Sequence, residues 1–379
     1  MIKSEKFLPW VADMPAYSLG RSYTDVADEN RMSSESVVKL ASNENPYGCS
    51  PLVKKFLKDG WDQLNRYPDS DCFELKKKLS EKNNVELNQI FLGNGSNEIL
   101  DYIARVFLTS GRHAIYSRYC FAVYPLIVKA TGAEAIVAEA DESLGHDLNN
   151  FISSFLPSVS VIFIANPNNP TGTYLSFGEI KNFLQKIDSS VVVVLDEAYF
   201  EYSRQKENSA ELVSLFPNLI ITRSFSKAYG LAALRVGYAI SSEKVIAYMN
   251  RVRQPFNINS IAQKAACIAL EDNSFVKESV SRNDANKCYL EDCFREIGIP
   301  TIKSMGNFIL ANVRSFTLVN GREVPNAGTQ LANHLLKAGV ITRPVDNYNL
   351  SDWLRITVGT ELENKIIVGA LHKLKEHLS

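Results

Sequence analysis

The stretch Leu219–Arg235, LIITRSFSKAYGLAALR, sets one lysine, Lys227, shortly after an apolar run that is typical of a buried strand. An ammonium group in that position loses hydration, which lowers the pKa of the amine and makes it a nucleophile toward carbonyl compounds. The hydroxyls of Ser224 and Ser226 and the guanidinium of Arg235 can together bind a phosphate. A lone lysine in a loop is usually a surface residue, but these neighbours favour a site for a carbonyl compound and a phosphate.

A second apolar run ends in a carboxylate. Val191–Leu195 has the continuous β-branched pattern of a strand buried on both faces, and Asp196 and Tyr199 follow it. Open α/β sheets bind ligands at the carboxyl ends of their parallel strands. Asp196 could therefore keep a pyridine nitrogen protonated, and Tyr199 could hydrogen-bond a phenolate oxygen. From the residues alone, a helix cap at Asp196 and core packing at Tyr199 are equally good interpretations.

A proline-rich turn follows a third apolar run. Asn166–Gly172, NPNNPTG, comes directly after Val161–Ala165, and its prolines, asparagines and glycine predict a rigid turn. An ordinary loop has the same composition. Its place at the carboxyl end of a strand favours a functional role.

A glycine turn precedes the first long helical pattern of this region. Gly93–Glu98, GNGSNE, lies between the predicted strand Ile90–Leu92 and apolar positions at helical spacing that continue to Phe107. Backbone N–H groups at the start of a helix form an anion site. The turn lacks the third glycine of the dinucleotide-binding fingerprint, so it indicates an anion site and not that motif.

The periodicities predict an α/β protein. Apolar strands alternate with helical patterns from about Ile90 to Ile240, which predicts a mostly parallel sheet flanked by helices. From about Phe275 the pattern changes to a long charged helix at 277–297, short strands at 308–313 and 354–358, and a last helix at 361–378. This second part reads as a smaller α+β domain.

Composition excludes several classes of protein. The chain has 379 residues, 45% hydrophobic and 22% charged, as expected of a globular enzyme with more than one domain. A formal net charge of -1 argues against binding to nucleic acid or to anionic membranes. The six cysteines show no metal-ligand spacing and read as reduced thiols of a cytoplasmic protein. The first residues have no signal-peptide core, and no apolar run is long enough to span a membrane.

Taken in this order, the four segments resemble the pyridoxal-phosphate (PLP) aminotransferases of the aspartate aminotransferase fold. Within that superfamily they look most like the histidinol-phosphate aminotransferases. The narrower similarity rests on Lys39–Pro46 (KLASNENP), Leu64–Asp69 (LNRYPD) and Leu354–Thr360 (LRITVGT), and the resemblance extends from about Pro15 to the C-terminus. It implies a PLP-dependent transferase fold with a large PLP-binding domain at 45–275. Residues 1–44 and 276–379 would form the small domain, with the cofactor in the cleft between domains.

The resemblance also implies roles in cofactor binding. Lys227 would carry the cofactor on its amine and later move a proton, and Asp196 would pair with the ring nitrogen. Asn169 and Tyr199 would hydrogen-bond the phenolate oxygen, and Phe121 would stack on the ring, although the family usually has a proline where this chain has Tyr119. The cofactor phosphate would be bound by Ser96, Asn97, Ser224, Ser226, Arg235 and, from the neighbouring subunit of an obligate homodimer, Tyr67. Without the resemblance, Tyr67 would read as an aromatic packed beside Pro68.

For the substrate, the resemblance implies that Arg355 binds the phosphate of histidinol phosphate and the carboxylate of glutamate. Arg343 and Tyr17 would help to hold the phosphate, and Asn43 and Asn169 would line the substrate site. The implied reaction is transfer of the amino group from L-histidinol phosphate to 2-oxoglutarate, which gives imidazole acetol phosphate and glutamate.

Three other functions use the same cofactor residues. An aromatic amino-acid aminotransferase differs only in the substrate pocket, and a phosphothreonine-type decarboxylase also depends on the lysine. A PLP-sensing regulator would need a fused DNA-binding region, and only about 40 residues precede the asparagine-rich signature, with no basic recognition helix.

Overall fold

The structure is a computed structural model that describes residues 6–16, 20–204, 207–317 and 324–378. It divides the chain into two compact units. The first unit comprises Met1–Ala16, Cys49–Asn169 and Tyr174–Val276. The second unit comprises Tyr17–Gly48, Pro170–Thr173 and Lys277–Ser379.

The first unit is built on a seven-stranded sheet with the order β2-β8-β7-β6-β5-β3-β4. Its strands are β2 (Ile90–Gly93), β3 (His113–Ser117), β4 (Glu134–Ala138), β5 (Val159–Ala165), β6 (Val192–Asp196), β7 (Leu219–Ser224) and β8 (Gly237–Ile240). Only β8 runs antiparallel to its neighbours β2 and β7, and the other pairs are parallel. The expected α/β fold with a mostly parallel central sheet is confirmed.

Helices cover both faces of this sheet. They are α1 (Pro9–Ala12), α3 (Pro51–Asp59), α4 (Phe73–Asn83), α5 (Ser96–Phe107), α6 (Val123–Ala130), α7 (Leu148–Ser153), α8 (Phe177–Leu184), α9 (Glu243–Asn250) and α10 (Ser260–Glu271). Several begin with a side-chain cap: at α8 the Ser176 hydroxyl accepts from the Glu179 N–H, and the Glu179 carboxylate accepts from the Ser176 N–H. Within the described ranges, no helix combines the length and apolar composition that crossing a bilayer requires.

Alternation along the strands gives the sheet two different faces. Val193 and Leu195 of β6 belong to one apolar core, with side chains from α4, α8 and α10. Val192 and Val194 belong to another, with side chains from α5, α6 and α9. We call these the α4 face and the α5 face. Every second residue at the end of β6 and β7 therefore points to the same face.

The second unit has an antiparallel sheet of four strands, in the order β12-β13-β10-β9, and a two-stranded parallel pair of β1 and β11. Its elements are α2 (Tyr23–Asn30), β1 (Val38–Lys39), α11 (Asn273–Ile297, from Lys277 onward), β9 (Thr301–Ile302), β10 (Phe308–Asn312), α12 (Ala327–Lys337), β11 (Val340–Ile341), β12 (Arg343–Pro344), β13 (Trp353–Thr357) and α13 (Glu361–Leu378). Phe294, Ile309, Leu331 and Ile367 belong to a common core within this unit.

A buried histidine forms a hydrogen bond with the end of β5. His146 is 6% exposed, and its Nε2 lies 2.9 Å from the carbonyl oxygen of Ala165. Burial lowers the pKa of His146 to about 4. The folded protein therefore keeps this imidazole neutral at pH values where an unfolded chain binds a proton to it.

We predict that His146 makes the protein less stable in mild acid. Between its ordinary pKa of 6.5 and about 4, only the unfolded chain gains a proton at this side chain. The free energy of unfolding should therefore fall as the pH falls through this window, by up to about 3 kcal/mol from this residue. In denaturant unfolding at several pH values, the free energy of unfolding of His146→Gln should fall less steeply with falling pH than that of the parent. His372→Gln, at an exposed position of α13, should match the parent. An unchanged slope in His146→Gln would contradict this account.

Candidate active site

The carboxylate of Asp196 is held on both oxygens at the end of β6. Asp196 is 4% exposed; the Thr222 hydroxyl of β7 donates to Oδ1 at 2.9 Å, and the Tyr124 hydroxyl of α6 donates to Oδ2 at 2.9 Å. Burial raises the pKa of the Asp196 carboxyl above its ordinary value, and hydrogen bonds from Thr222, Tyr124 and the Ala198 backbone N–H act against that rise. Among the described residues no Lys, Arg or His forms a salt bridge with it. A carboxylate of this kind fits a protonated ring nitrogen, which would supply the missing positive charge.

Lys227 lies in the turn that follows β7. Its Nζ is 5.6 Å from the centre of the Tyr199 ring, and Tyr199 is 4% exposed. The Gly230 N–H donates to the Lys227 carbonyl and closes the turn. Since β6 and β7 are neighbouring parallel strands, their carboxyl ends bring Asp196, Tyr199 and Lys227 into one region of the first unit.

The proline-rich turn is fixed to β6. The Asn166 N–H donates to the Asp196 carbonyl at 2.8 Å, and the Asn166 side chain exchanges two hydrogen bonds with the backbone of Leu175. Asn168 donates to the Tyr119 carbonyl at 2.7 Å. These bonds hold Asn169, which is 7% exposed, at the carboxyl end of β5.

The start of α5 is a cradle for an anion. Gly95 precedes the helix with φ of 80°, and a side chain there would collide with the Arg235 guanidinium. A β-carbon at Gly237 would lie 2.5 Å from the Ser96 nitrogen. Arg235 donates to the Ser226 hydroxyl at 3.2 Å and to a backbone carbonyl, and no described carboxylate forms an ion pair with it. Helix N–H groups beside a guanidinium without an acidic partner fit a phosphate.

The other predicted cofactor residues are placed around these groups. Asn97 is the second residue of α5, and Ser224 ends β7 with its hydroxyl accepting from the Ser226 N–H at 3.0 Å. Phe121 is partly buried and meets Tyr124 edge to face at 5.8 Å. Tyr67 is 82% exposed, and its ring stacks on Phe256 with ring centres 4.7 Å apart.

The substrate residues of the second unit include two arginines on neighbouring strands. Arg343 of β12 lies directly opposite Arg355 of β13 in antiparallel register. Arg355 is 8% exposed, donates to the Ala41 carbonyl at 2.5 Å and lies over the Phe308 ring. Two guanidinium groups on paired strands can together bind an anion with more than one acceptor oxygen.

Asn43 is locked beside β13. It is 1% exposed with φ of 54°, its N–H donates to the Thr357 hydroxyl at 2.9 Å, and its carbonyl accepts from Asn307 at 3.1 Å. The predicted site residue Tyr17 lies outside the described residues. In the part of the chain that the structure describes, no cluster of three or more His, Cys, Asp or Glu side chains is suited to a metal ion.

A buried ion pair lies on the α4 face, behind Asp196. Arg223 and Glu197 approach to 2.8 Å with side chains 2% exposed each. The guanidinium also donates to Asn83 at 2.9 Å and Asn208 at 2.8 Å and lies 3.5 Å from the Phe200 ring centre. The pair joins the residue after Asp196 to the residue before Ser224, so it fixes two of the predicted cofactor segments against each other.

Sequence reasoning missed Thr222, Tyr124 and the ion pair. Thr222 and Tyr124 stand in apolar patterns where a hydroxyl residue reads as core. Arg223 carried a usable signal, because a charge inside a buried strand requires a partner. Its neighbour on the next strand, Glu197, follows from the parallel pairing of β6 with β7.

Comparison with known proteins gives a consistent family. The model for aminotransferases of class I and II matches residues 35–371. Histidinol-phosphate aminotransferase 2 of Pseudomonas fluorescens is 44% identical over 368 residues, which cover 97% of this chain and 96% of that protein. The protein of the same name from Methylococcus capsulatus is 45% identical over 374 residues, 97% of each chain.

A solved structure shares the fold. Histidinol-phosphate aminotransferase from Sinorhizobium meliloti, in complex with pyridoxal-5'-phosphate, superposes with a TM-score of 0.88 at 22% identity, covering 100% of this chain and 99% of that one. The chain is thus similar to these proteins along its whole length.

We predict that breaking the buried ion pair destabilises the first unit strongly. Arg223→Met leaves the Glu197 carboxylate buried without its partner, which should cost about 3–5 kcal/mol of unfolding free energy. The double variant Arg223→Met/Glu197→Gln should regain part of that loss, because no charge is then left unpaired. Lys264→Met, which removes an exposed partner of Glu74, should cost less than about 1 kcal/mol. Denaturant unfolding measures all three; equal losses in Arg223→Met and Lys264→Met would refute the assignment.

Proposed function

We propose, on the premise that the chain belongs to the class I and II aminotransferase family, that it transfers the amino group of L-histidinol phosphate to 2-oxoglutarate. The products are imidazole acetol phosphate and glutamate, and the reaction is a step of histidine biosynthesis. The observation that carries this proposal is identity of 44% and 45% over 97% of the chain to proteins named for the reaction. The opposed arginines Arg343 and Arg355 support it, because two guanidinium groups bind a phosphate well.

The proposed cofactor is PLP, which when bound supplies an aldehyde that exchanges with the amino group and a ring that withdraws electrons from the reacting carbon. Asp196 would hold the proton on the ring nitrogen, since its buried carboxylate needs a positive partner. Asn169 and Tyr199 would hydrogen-bond the ring oxygen, and Phe121 would pack on the ring face. The phosphate would be bound by Ser96, Asn97, Ser224, Ser226 and Arg235 within the chain.

The amine of Lys227 has two proposed tasks. It would hold the cofactor through the aldehyde carbon, and once the substrate amine has replaced it, it would be a free base. In that state its Nζ would take the proton from the reacting carbon of the substrate and return it at the cofactor side. The turn after β7 keeps it beside the Tyr199 ring, at 5.6 Å, for both tasks.

The arginine pair would bind the anionic end of the substrate. Arg355 would take the phosphate of histidinol phosphate and, in the return half-reaction, a carboxylate of glutamate, while Arg343 would share the phosphate. Asn43, held by the Thr357 hydroxyl, would line the same site. Tyr17 would complete the phosphate contacts, which stays a prediction from the resemblance.

A second copy of the chain would complete each active site. The Tyr67 ring is 82% exposed and the Phe256 ring behind it 41% exposed, an arrangement suited to burial against a partner. In the proposed homodimer Tyr67 would reach the cofactor phosphate of the other subunit. The remaining partners would be small molecules, since a net charge of -1 gives no electrostatic attraction to nucleic acid or anionic membranes. The proposed location is the cytoplasm.

We predict that the PLP-loaded enzyme, mixed with L-histidinol phosphate and no 2-oxo acid, converts its cofactor to pyridoxamine phosphate. Stopped-flow absorbance of the cofactor should show conversion at least about a hundredfold faster than with L-phenylalanine, which offers no phosphate to the two arginines. L-phosphothreonine is a third arm, monitored also for carbon dioxide. Faster conversion with phenylalanine would assign the chain to the aromatic aminotransferases, and release of carbon dioxide would assign it to the decarboxylases.

A second prediction tests the shared sites. Lys227→Ala should lose at least about a hundredfold in turnover, and Tyr67→Ala about tenfold or more through one charged hydrogen bond. Co-expressed, the two variants form mixed dimers with one intact site, so activity should return to about a quarter of the parent value. Co-expression of Lys227→Ala with a chain carrying both substitutions is the control and should regain nothing. Mixed dimers no more active than Tyr67→Ala alone would exclude sharing.

A further inference from the structure

Tyr124 approaches Asp196 from a different element than Thr222 does. The Tyr124 hydroxyl of α6 donates to Oδ2 at 2.9 Å, and the Thr222 hydroxyl of β7 donates to Oδ1 at 2.9 Å. Tyr124 is 0% exposed. Water cannot take the place of its hydroxyl at the carboxylate, so the hydrogen bond is a fixed property of the fold.

Packing around the Tyr124 ring keeps its hydroxyl directed at Asp196. It stacks on Phe163 of β5 with ring centres 4.9 Å apart and an angle of 21° between the ring planes, and Phe121 meets it edge to face at 5.8 Å. The Tyr124 N–H donates to the Phe121 carbonyl at 3.0 Å. Rotation of the hydroxyl away from Asp196 would require the aromatic core of the α5 face to repack, which close-packed interiors resist.

The two side-chain donors, one on each oxygen, act on the carboxylate together with the Ala198 backbone N–H. They fix the plane of the Asp196 carboxyl group, and they stabilise its ionised form in a place where burial favours the neutral form. Packing does not explain the hydroxyl, because phenylalanine would fill the same space without a buried polar atom. The hydroxyl therefore acts on the carboxylate.

We propose that Tyr124 is a positioning residue that keeps Asp196 ionised and oriented toward the ring nitrogen of the cofactor. The inference rests on the proposed function, which assigns that nitrogen to Asp196. Tyr124 does not touch the reacting atoms. Through Phe121 on the same turn, it also connects the carboxylate with the aromatic residue expected on the face of the ring.

The test measures binding and not turnover. Apoenzyme and the Tyr124→Phe variant are titrated with pyridoxamine phosphate and with its 1-deaza analogue, which lacks the ring nitrogen, and the dissociation constants are read from protein fluorescence. Loss of a hydrogen bond to a charged group should weaken binding of pyridoxamine phosphate by about tenfold or more in Tyr124→Phe. Binding of the deaza analogue should stay unchanged, because it offers Asp196 no positive partner.

Two variants complete the design. Tyr116→Phe removes another tyrosine hydroxyl of the same core, on β3, and should bind both ligands as the parent does. Thr222→Val removes the donor on the other oxygen and should reproduce the selective loss, which keeps the test decisive if Tyr124→Phe folds poorly. Thermal unfolding of each apoprotein reports whether the fold is retained.

The outcomes separate this inference from the proposed function. A selective loss for pyridoxamine phosphate supports it. If the parent protein binds pyridoxamine phosphate more tightly than the deaza analogue, two results in Tyr124→Phe overturn the inference. One is equal weakening of binding for both ligands, and the other is unchanged binding for both. If the parent itself binds both ligands equally, the pairing of Asp196 with the nitrogen fails, and the role of Tyr124 fails with it.

Discussion

The buried ion pair between Arg223 and Glu197 is the constraint on which the candidate active site in the first unit depends. Both charges are almost fully excluded from water, so neither can leave the other without a large cost in free energy. The pair joins the ends of two parallel strands, and the residues next to it are Asp196 and Ser224. Because the ion pair fixes the distance between the ends of β6 and β7 on the α4 face, it also fixes the distance between Asp196 and Ser224 on the α5 face.

Strand alternation explains how one sheet edge serves two purposes. Glu197 and Arg223 lie on the α4 face, whereas Asp196 and Thr222 lie on the α5 face, one residue away along the same strands. Glu197 and Arg223 form an ion pair that is almost fully excluded from water. Asp196 is a carboxylate whose only described side-chain partners are neutral hydroxyl groups. The charges on the α4 face are thus paired with each other, whereas the Asp196 carboxylate on the α5 face could bind a cationic group of a ligand.

Sequence patterns predicted the elements that carry strong local signals. The runs that became β5, β6 and β7, the glycine turn before α5 and the residues that end each strand all follow from periodicity, turn chemistry and the geometry of parallel sheets. Tyr124 and Thr222 were out of reach, because an isolated hydroxyl in an apolar pattern looks like core until its partner is known, and that partner lies 72 and 26 residues away. The sequence likewise did not predict that Arg343 and Arg355 lie opposite each other, because the antiparallel register of these two short strands cannot be read from their residues.

In the proposed function, chemistry and substrate specificity would be carried by different units of the chain. The first unit holds the Lys227 amine, the Asp196 carboxylate and the start of α5 beside Arg235, groups that would bind the proposed cofactor whatever the substrate. The second unit holds Arg343 and Arg355 on paired strands, and two guanidinium groups could together bind an anion that offers several oxygens. A phosphate offers more acceptor oxygens than the carboxylate of an aromatic amino acid does. In the proposed function, the preference for a phosphorylated amine would depend on the register of these two short strands, whereas the chemistry at Lys227 could serve many amines.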